Sequence, residues 1–195
     1  MGSAQGPVIT QKENIKKAEK LGIEIADANC ILVNGACPGL PDDAARGAKK
    51  VGGFVLGISP AFSLRAHREK YLSPDENYDL ILFTGLGLME RDIVNIRSSD
   101  AVILVGGGIG TLNEFTVAYD EGKVIGVLTG TGGISDNVPE ILKMAHRDDP
   151  KEMEKLVFES DPKKLVATVL KKLSSLKLAS VEDARVISRD FDPFD

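Results

Sequence analysis

Apolar residues first recur at helical spacing and then in short unbroken runs. Ile15, Ala18, Leu21, Gly22 and Ile25 share one helical face, which predicts a helix over 11–28. Thr10-Gln-Lys-Glu13 just ahead of it matches a capping box. Runs over 30–33, 54–58, 80–83, 101–105, 124–128 and 156–158 predict strands. Between them lie a small-residue helix ending at Gly52-Gly53 and helices over 89–99, 111–121 and 137–145. Residues 61–78 have weak periodicity and read as a long loop with room for one helical turn. Asp161-Pro162 is a helix start, with an N-cap acid and proline at the first helical position, and that helix is expected to reach about residue 173.

Strands that are continuously apolar and alternate with helices mark a parallel sheet covered on both faces. The fold expected is a single α/β domain, doubly wound and Rossmann-like, over 1–175. Residues 176–195, ending in SRDFDPFD, are expected to form a tail or an arm laid on a neighbour.

Composition narrows the chemistry. A length of 195 residues with 43% apolar content suits one such domain. With a net charge of −5 and no massed Lys or Arg, a dedicated nucleic-acid binder is not expected. No run of 18 apolar residues is present and the N-terminus has no signal-peptide pattern, so no membrane partner is expected and the simplest location is the cytoplasm. Cys30 and Cys37 form neither a disulfide framework nor a zinc spacing and read as reduced, packed thiols. His67 and His146 stand far apart without companions, so no metal and no cofactor is called for. Arg65–Lys70 (RAHREK) reads as a solvated face that, beside a phosphate site, could serve as a basic lid.

The chemistry concentrates in Val102–Phe115, VILVGGGIGTLNEF. Glycines at a strand's carboxyl end let a ligand approach the main chain, and the helix that follows offers unpaired N–H groups and a positive dipole end. A phosphate-bearing ligand is expected on Gly107, Gly108, Gly110 and Thr111. The acidic residue of the dinucleotide fingerprint and the Gly-Lys-Ser/Thr of the triphosphate loop are both missing, so NAD and ATP are not supported. Glu114 has two readings. It completes a capping box with Thr111, or it meets the sugar beside a bound phosphate. Arg91, at the start of a helix where a cation opposes the dipole, either binds an external anion or pairs with Asp92, Glu90 or a neighbouring helix.

The segment GGGIGTLNE resembles the PGGxGTxxE signature of the LONELY GUY-type proteins, a family that includes cytokinin-activating phosphoribohydrolases and chains mislabelled lysine decarboxylases. The element MERD is similar to that family's Met-x-x-Arg, and Gly2-Ser3-Ala4, NGACPGL, AARGAKKVGGFVLGISP and ENYDLILFTGLG follow in its order. The resemblance implies a Rossmann-like homodimer or higher oligomer that hydrolyses the N-glycosidic bond of nucleoside 5′-monophosphates. Glu114 would stabilise the oxocarbenium ion and orient water, and Arg91 would fix the substrate. Gly2, Ser3, Gly35 and Thr84 would join the glycine loop around the nucleotide. Val105-Gly106 in place of Pro-Gly, Asp92 after the arginine, and NGACPGLPDD also resemble a sister branch, the bacterial molybdenum-cofactor carriers, whose role is binding. In the family the Gly-Ser turn follows a strand, whereas Met1-Gly2-Ser3 opens this sequence, so the first strand is expected to be missing.

Overall fold

The computed structural model describes residues 1–190, with side chains through Leu176 apart from Glu152. Helices and strands alternate in the order α1 (Lys12–Asp27), β1 (Leu32–Asn34), α2 (Leu40–Lys50), β2 (Val55–Ser59), α3 (Leu64–Glu69), β3 (Leu80–Phe83), α4 (Leu88–Arg97), β4 (Ala101–Val105), α5 (Ile109–Asp120), β5 (Val124–Leu128), α6 (Gly133–Met144), β6 (Leu156–Glu159) and α7 (Pro162–Asp190). All strand pairs are parallel, in two three-stranded sheets ordered β1-β2-β3 and β4-β5-β6. The α/β, Rossmann-like expectation holds.

Strand alternation divides the core. Val124 and Leu128 of β5 face α1 and α7, where Ala18, Leu21, Leu165 and Val169 are buried. Ile125 and Val127 face the other side, against Ile96 of α4, Phe115 of α5 and Val138 of α6. Both faces of β5 are covered, as its apolar run required. β3 is an edge strand, and Leu80, Leu82 and Phe83 remain exposed.

Met1–Ser3 run parallel to β4 at its carboxyl end. The Met1 amino group donates to Ile103 O at 2.8 Å, Val105 N to Met1 O at 3.0 Å, and Ser3 N to Val105 O at 3.2 Å. Below this short ladder, β1 and β4 flank an apolar cavity of about 520 Å³ lined by α1 and α7.

Two local expectations are corrected and one is filled in. Thr10 does not cap α1; Pro7–Thr10 form a 3₁₀ turn in which Thr10 Oγ1 donates to Pro7 O at 2.9 Å. The loop over 61–78 contains α3, whose N-cap Ser63 accepts the Ala66 N–H at 3.2 Å. Its weak periodicity has a cause. The helix buries one polar side chain, His67, whose ring is held by Ser59 Oγ at 2.8 Å and by Pro74 O at 2.9 Å. Since Pro74 O only accepts, Nε2 carries the proton and Nδ1 accepts from Ser59. Finally, α7 passes residue 173 and runs to Asp190, while Asp161 caps its start by accepting the Lys164 N–H at 3.0 Å. Residues 191–195 of the expected tail lie outside the described residues.

Helices α1 and α2 pack through glycines. A Cβ on Gly22 would stand 1.8 Å from Ala44 O, and one on Gly47 would stand 1.9 Å from Glu19 O. Backbone against backbone leaves no side chain to yield. Gly22→Ala and Gly47→Ala are therefore each expected to destabilise by about 1–3 kcal/mol, the usual range for overpacking, despite alanine's better helix propensity. Urea unfolding checks this, and an unchanged or raised midpoint would refute the close packing.

Candidate functional site

The glycine loop is pinned by the protein's own hydroxyls. Gly106 and Gly107 have φ of 64° and 108°, left-handed values that favour glycine. A Cβ on Gly107 would also stand 2.5 Å from Thr111 Cγ2. The Gly107 N–H donates to Ser3 Oγ at 2.6 Å and the Gly106 N–H to Thr131 Oγ1 at 2.9 Å. The first amides of α6 bind the loop's carbonyls: Ile134 N to Gly107 O at 3.0 Å and Ser135 N to Gly106 O at 2.9 Å. Thr131, in the turn after β5, and Ser135, in the first turn of α6, thus brace the loop from the far side.

These bonds shape the loop on which the phosphate is expected. The Gly107 amide is taken by Ser3, and Gly2 sits in the Val105 ladder, so these three residues shape the loop. Thr84 is committed elsewhere, its hydroxyl donating to Ser59 O at 2.7 Å. The open amides are those of the first turn of α5, which begins at Ile109, earlier than expected, with Gly108 as N-cap. A Cβ on Gly108 or Gly110 would meet nothing within 4 Å. Ile109 is 79% exposed between them.

The earlier helix start removes the capping-box reading of Glu114. Thr111 is the third residue of α5 and its side chain is buried; Glu114 lies one turn deeper, 8% exposed. Burial pushes the Glu114 carboxyl up to about 7, and the charge of Asp92 adds to this; the Met1 ammonium, Arg91 and a hydrogen bond from Thr111 oppose it.

Arg91 is 5% exposed in the first turn of α4. Its guanidinium lies against Gly35, where a Cβ would stand 2.0 Å from Nη1. That contact gives Gly35 its place in the site. Nη1 is 3.3 Å from Asp92 Oδ1, one of the partners foreseen for it, yet Nε is buried without a partner among the described residues. Burial raises the Asp92 carboxyl against the pull of Arg91 and of a hydrogen bond from Asn113.

Cys37 completes the cluster. Burial pushes its thiol up to about 11, with Arg91 and Glu114 acting on it in opposite senses. At neutral pH it is a neutral S–H, which suits a wall of the site and not a nucleophile. Nothing in its spacing placed it beside the arginine; the turn at Gly35–Ala36, with Ala36 at φ 46°, does so. The cations of RAHREK are engaged locally, Arg65 with Glu69 and Arg68 with Asp75. They form the solvated face, and His67 points into the core.

Glu114 makes stability depend on pH. A glutamate near 4.5 when unfolded and near 7 when folded holds its proton more tightly in the native state. Its contribution is complete below pH 4.5 and is lost as pH rises through 7. Between those limits the loss is on the order of 3 kcal/mol, from 1.36 kcal/mol per pKa unit. Urea unfolding at pH 5 and pH 8 should therefore show a smaller decline for Glu114→Gln than for the parent protein. Identical declines would contradict the burial of a titrating acid here.

The geometry can be set beside known proteins. A chain of Archaeoglobus fulgidus, itself uncharacterised, is 37% identical over 117 residues, covering 60% of this chain and 72% of its own. The crystal structure of TM1055 superposes with a TM-score of 0.72 over 88% of this chain and 96% of that one, at 24% identity, a likeness of fold. The molybdenum cofactor carrier protein of Chlamydomonas reinhardtii superposes with a TM-score of 0.69 over 89% of this chain and 96% of its own, at 28% identity. The SLOG cluster4 family matches residues 1–166, with the glycine loop, Arg91 and Glu114 inside the match. The chain belongs to the SLOG cluster4 family.

Proposed function

We propose that the protein binds a nucleoside 5′-monophosphate and hydrolyses its N-glycosidic bond, giving free base and ribose 5-phosphate. The observation that carries this reading is the buried Glu114, titrating near 7, one helical turn behind the open amides of α5 and in the same cluster as a buried arginine with an unpartnered Nε. The phosphate rests on the Gly108–Thr111 amides, where the helix dipole favours an anion. Arg91 supplies the charge that fixes the ligand.

In the reaction the C1′–N bond breaks and the base leaves with its electron pair, so positive charge develops on the ribose. The Glu114 carboxylate favours that state over the neutral reactant and takes the proton of the water that adds to C1′. The base takes up a proton from solvent, which balances the step. A group titrating near 7 suits proton transfer at neutral pH.

A second reading is a carrier that holds a phosphorylated ligand without cleaving it. It is favoured by the likeness to the Chlamydomonas reinhardtii molybdenum cofactor carrier and by the Asp92–Arg91 pairing, which already satisfies part of the guanidinium. Incubation with a panel of nucleoside monophosphates and assay of released base separates the two. The kcat/KM should rise with pH through about 7, Glu114→Gln should lower kcat by about 10²–10⁴, and Arg91→Ala should raise KM. No release from any substrate, with one ligand retained at one equivalent, supports the carrier instead.

The assembly proposed is a homodimer. Leu86, Leu88, Met89 and Ile93 on and before α4 and Ile109 on α5 are all exposed, and large apolar side chains grouped this way mark an interaction surface. Light scattering should give a mass twice the 20.9 kDa of the chain. A particle that stays monomeric at micromolar concentration refutes the pairing.

A further inference from the structure

At the edge of the sheet opposite the glycine loop, α5, α6 and the segments entering β5 and β6 enclose an open groove of about 800 Å³. Phe115 and Leu142 lie at its floor and Lys151 and Lys155 on its rim; Arg147, Asp120, Glu121 and Lys123, whose Nζ donates to Ser99 O at 2.8 Å, also line it. Arg97, also lining it, is already paired with Glu121 at 2.6 Å. The groove is thus apolar below, and its lining carries five cations against two carboxylates, in a protein whose net charge is −5. Nothing in the proposed hydrolase or carrier chemistry uses it.

The sequence contains one segment of the complementary kind. Asp190–Asp195 reads DFDPFD, three carboxylates alternating with two phenylalanines and a proline. Its phenylalanines match the floor and its acids match the rim, so burial and charge favour the same pairing.

Chain length decides whether the segment comes from the same molecule. Helix α7 leaves the carboxyl edge of the sheet and runs back toward the groove's edge, where Lys172 Nζ donates to Glu154 O in the turn before β6. Leu176 still packs on the core, and the helix runs on to Asp190. Those last fourteen residues carry it about 20 Å beyond Leu176 at 1.5 Å per residue. Five further residues span at most about 18 Å fully extended. A return to the same chain's groove falls short.

We propose that the Asp190–Asp195 segment docks in the basic-rimmed groove of a second copy of this chain, α7 serving as the arm that delivers it. The groove shares Ile93 with the exposed face proposed for the homodimer.

The test uses the full-length chain with a photoreactive benzophenone residue in place of Phe194. It is mixed with an isotope-labelled copy so that crosslinks within and between chains differ in mass. Crosslinks are expected between copies, on the groove around Lys151, Lys155 and Leu142. Lys151→Glu/Lys155→Glu should cut their yield at least fivefold, and Asp192→Lys/Asp195→Lys should restore it in the reversed-charge chain. Crosslinks confined to one chain, landing outside the groove, or indifferent to the charge reversal would overturn the proposal. Far-ultraviolet circular dichroism of each variant separates loss of docking from loss of fold.

Discussion

The hydrogen bond from the Gly107 amide to Ser3 Oγ, 2.6 Å long and buried, is the constraint on which the site depends. It ties the amino end of the chain to the bend after β4 and fixes where that bend turns into α5. With Thr131 and Ser135 bracing Gly106, the loop has little freedom left, and its left-handed glycines are held by contacts on three sides. The helix therefore starts at Ile109, and its first turn points at solvent while Glu114 lies beneath. Unpaired amides at the surface and a carboxyl in the interior are two ends of one rigid turn. Preorganisation of this kind lets fixed dipoles act on a ligand without first reorganising.

The charges around that turn are arranged against one another. Arg91, Asp92 and Glu114 are all buried on α4 and α5, and neither acid is relaxed: burial raises both, and each is partly offset by the arginine. Arg91 keeps one face on Gly35 and one nitrogen on Asp92, while Nε has no partner. A buried guanidinium with an unused donor is costly unless something else completes it. An anionic ligand on the adjacent amides would supply the missing partner and would further favour the protonated Glu114. Ligand charge and the acid's proton are thus coupled through a short path.

Much of this was legible in the residues. Strand positions followed from unbroken apolar runs, the glycine loop stood out by composition and Arg91 by its place against a helix dipole, whereas Glu114 fits a capping box as well as a ligand site. What escaped was set by tertiary contacts. Thr111-x-x-Glu114 has the spacing of a capping box, but glycine at the N-cap starts the helix two residues early and puts the acid inside it. Ser3 and Gly2 also hold β4 and its loop a hundred residues away, a distance no local pattern encodes. Helix α3, for which the loop over 61–78 left room, has no periodicity to place it because it packs by one buried histidine, and Cys37 joins the cluster through a left-handed alanine that composition does not announce.

The proposed coupling runs through one turn of α5, from an anion seat to a buried acid. Carbon-13 NMR of the Glu114 carboxyl, titrated with and without inorganic phosphate, addresses it most directly. The predicted result is a midpoint near 7 in the free protein that moves upward as phosphate binds. A midpoint in the ordinary glutamate range, unmoved by phosphate at any concentration, would contradict it.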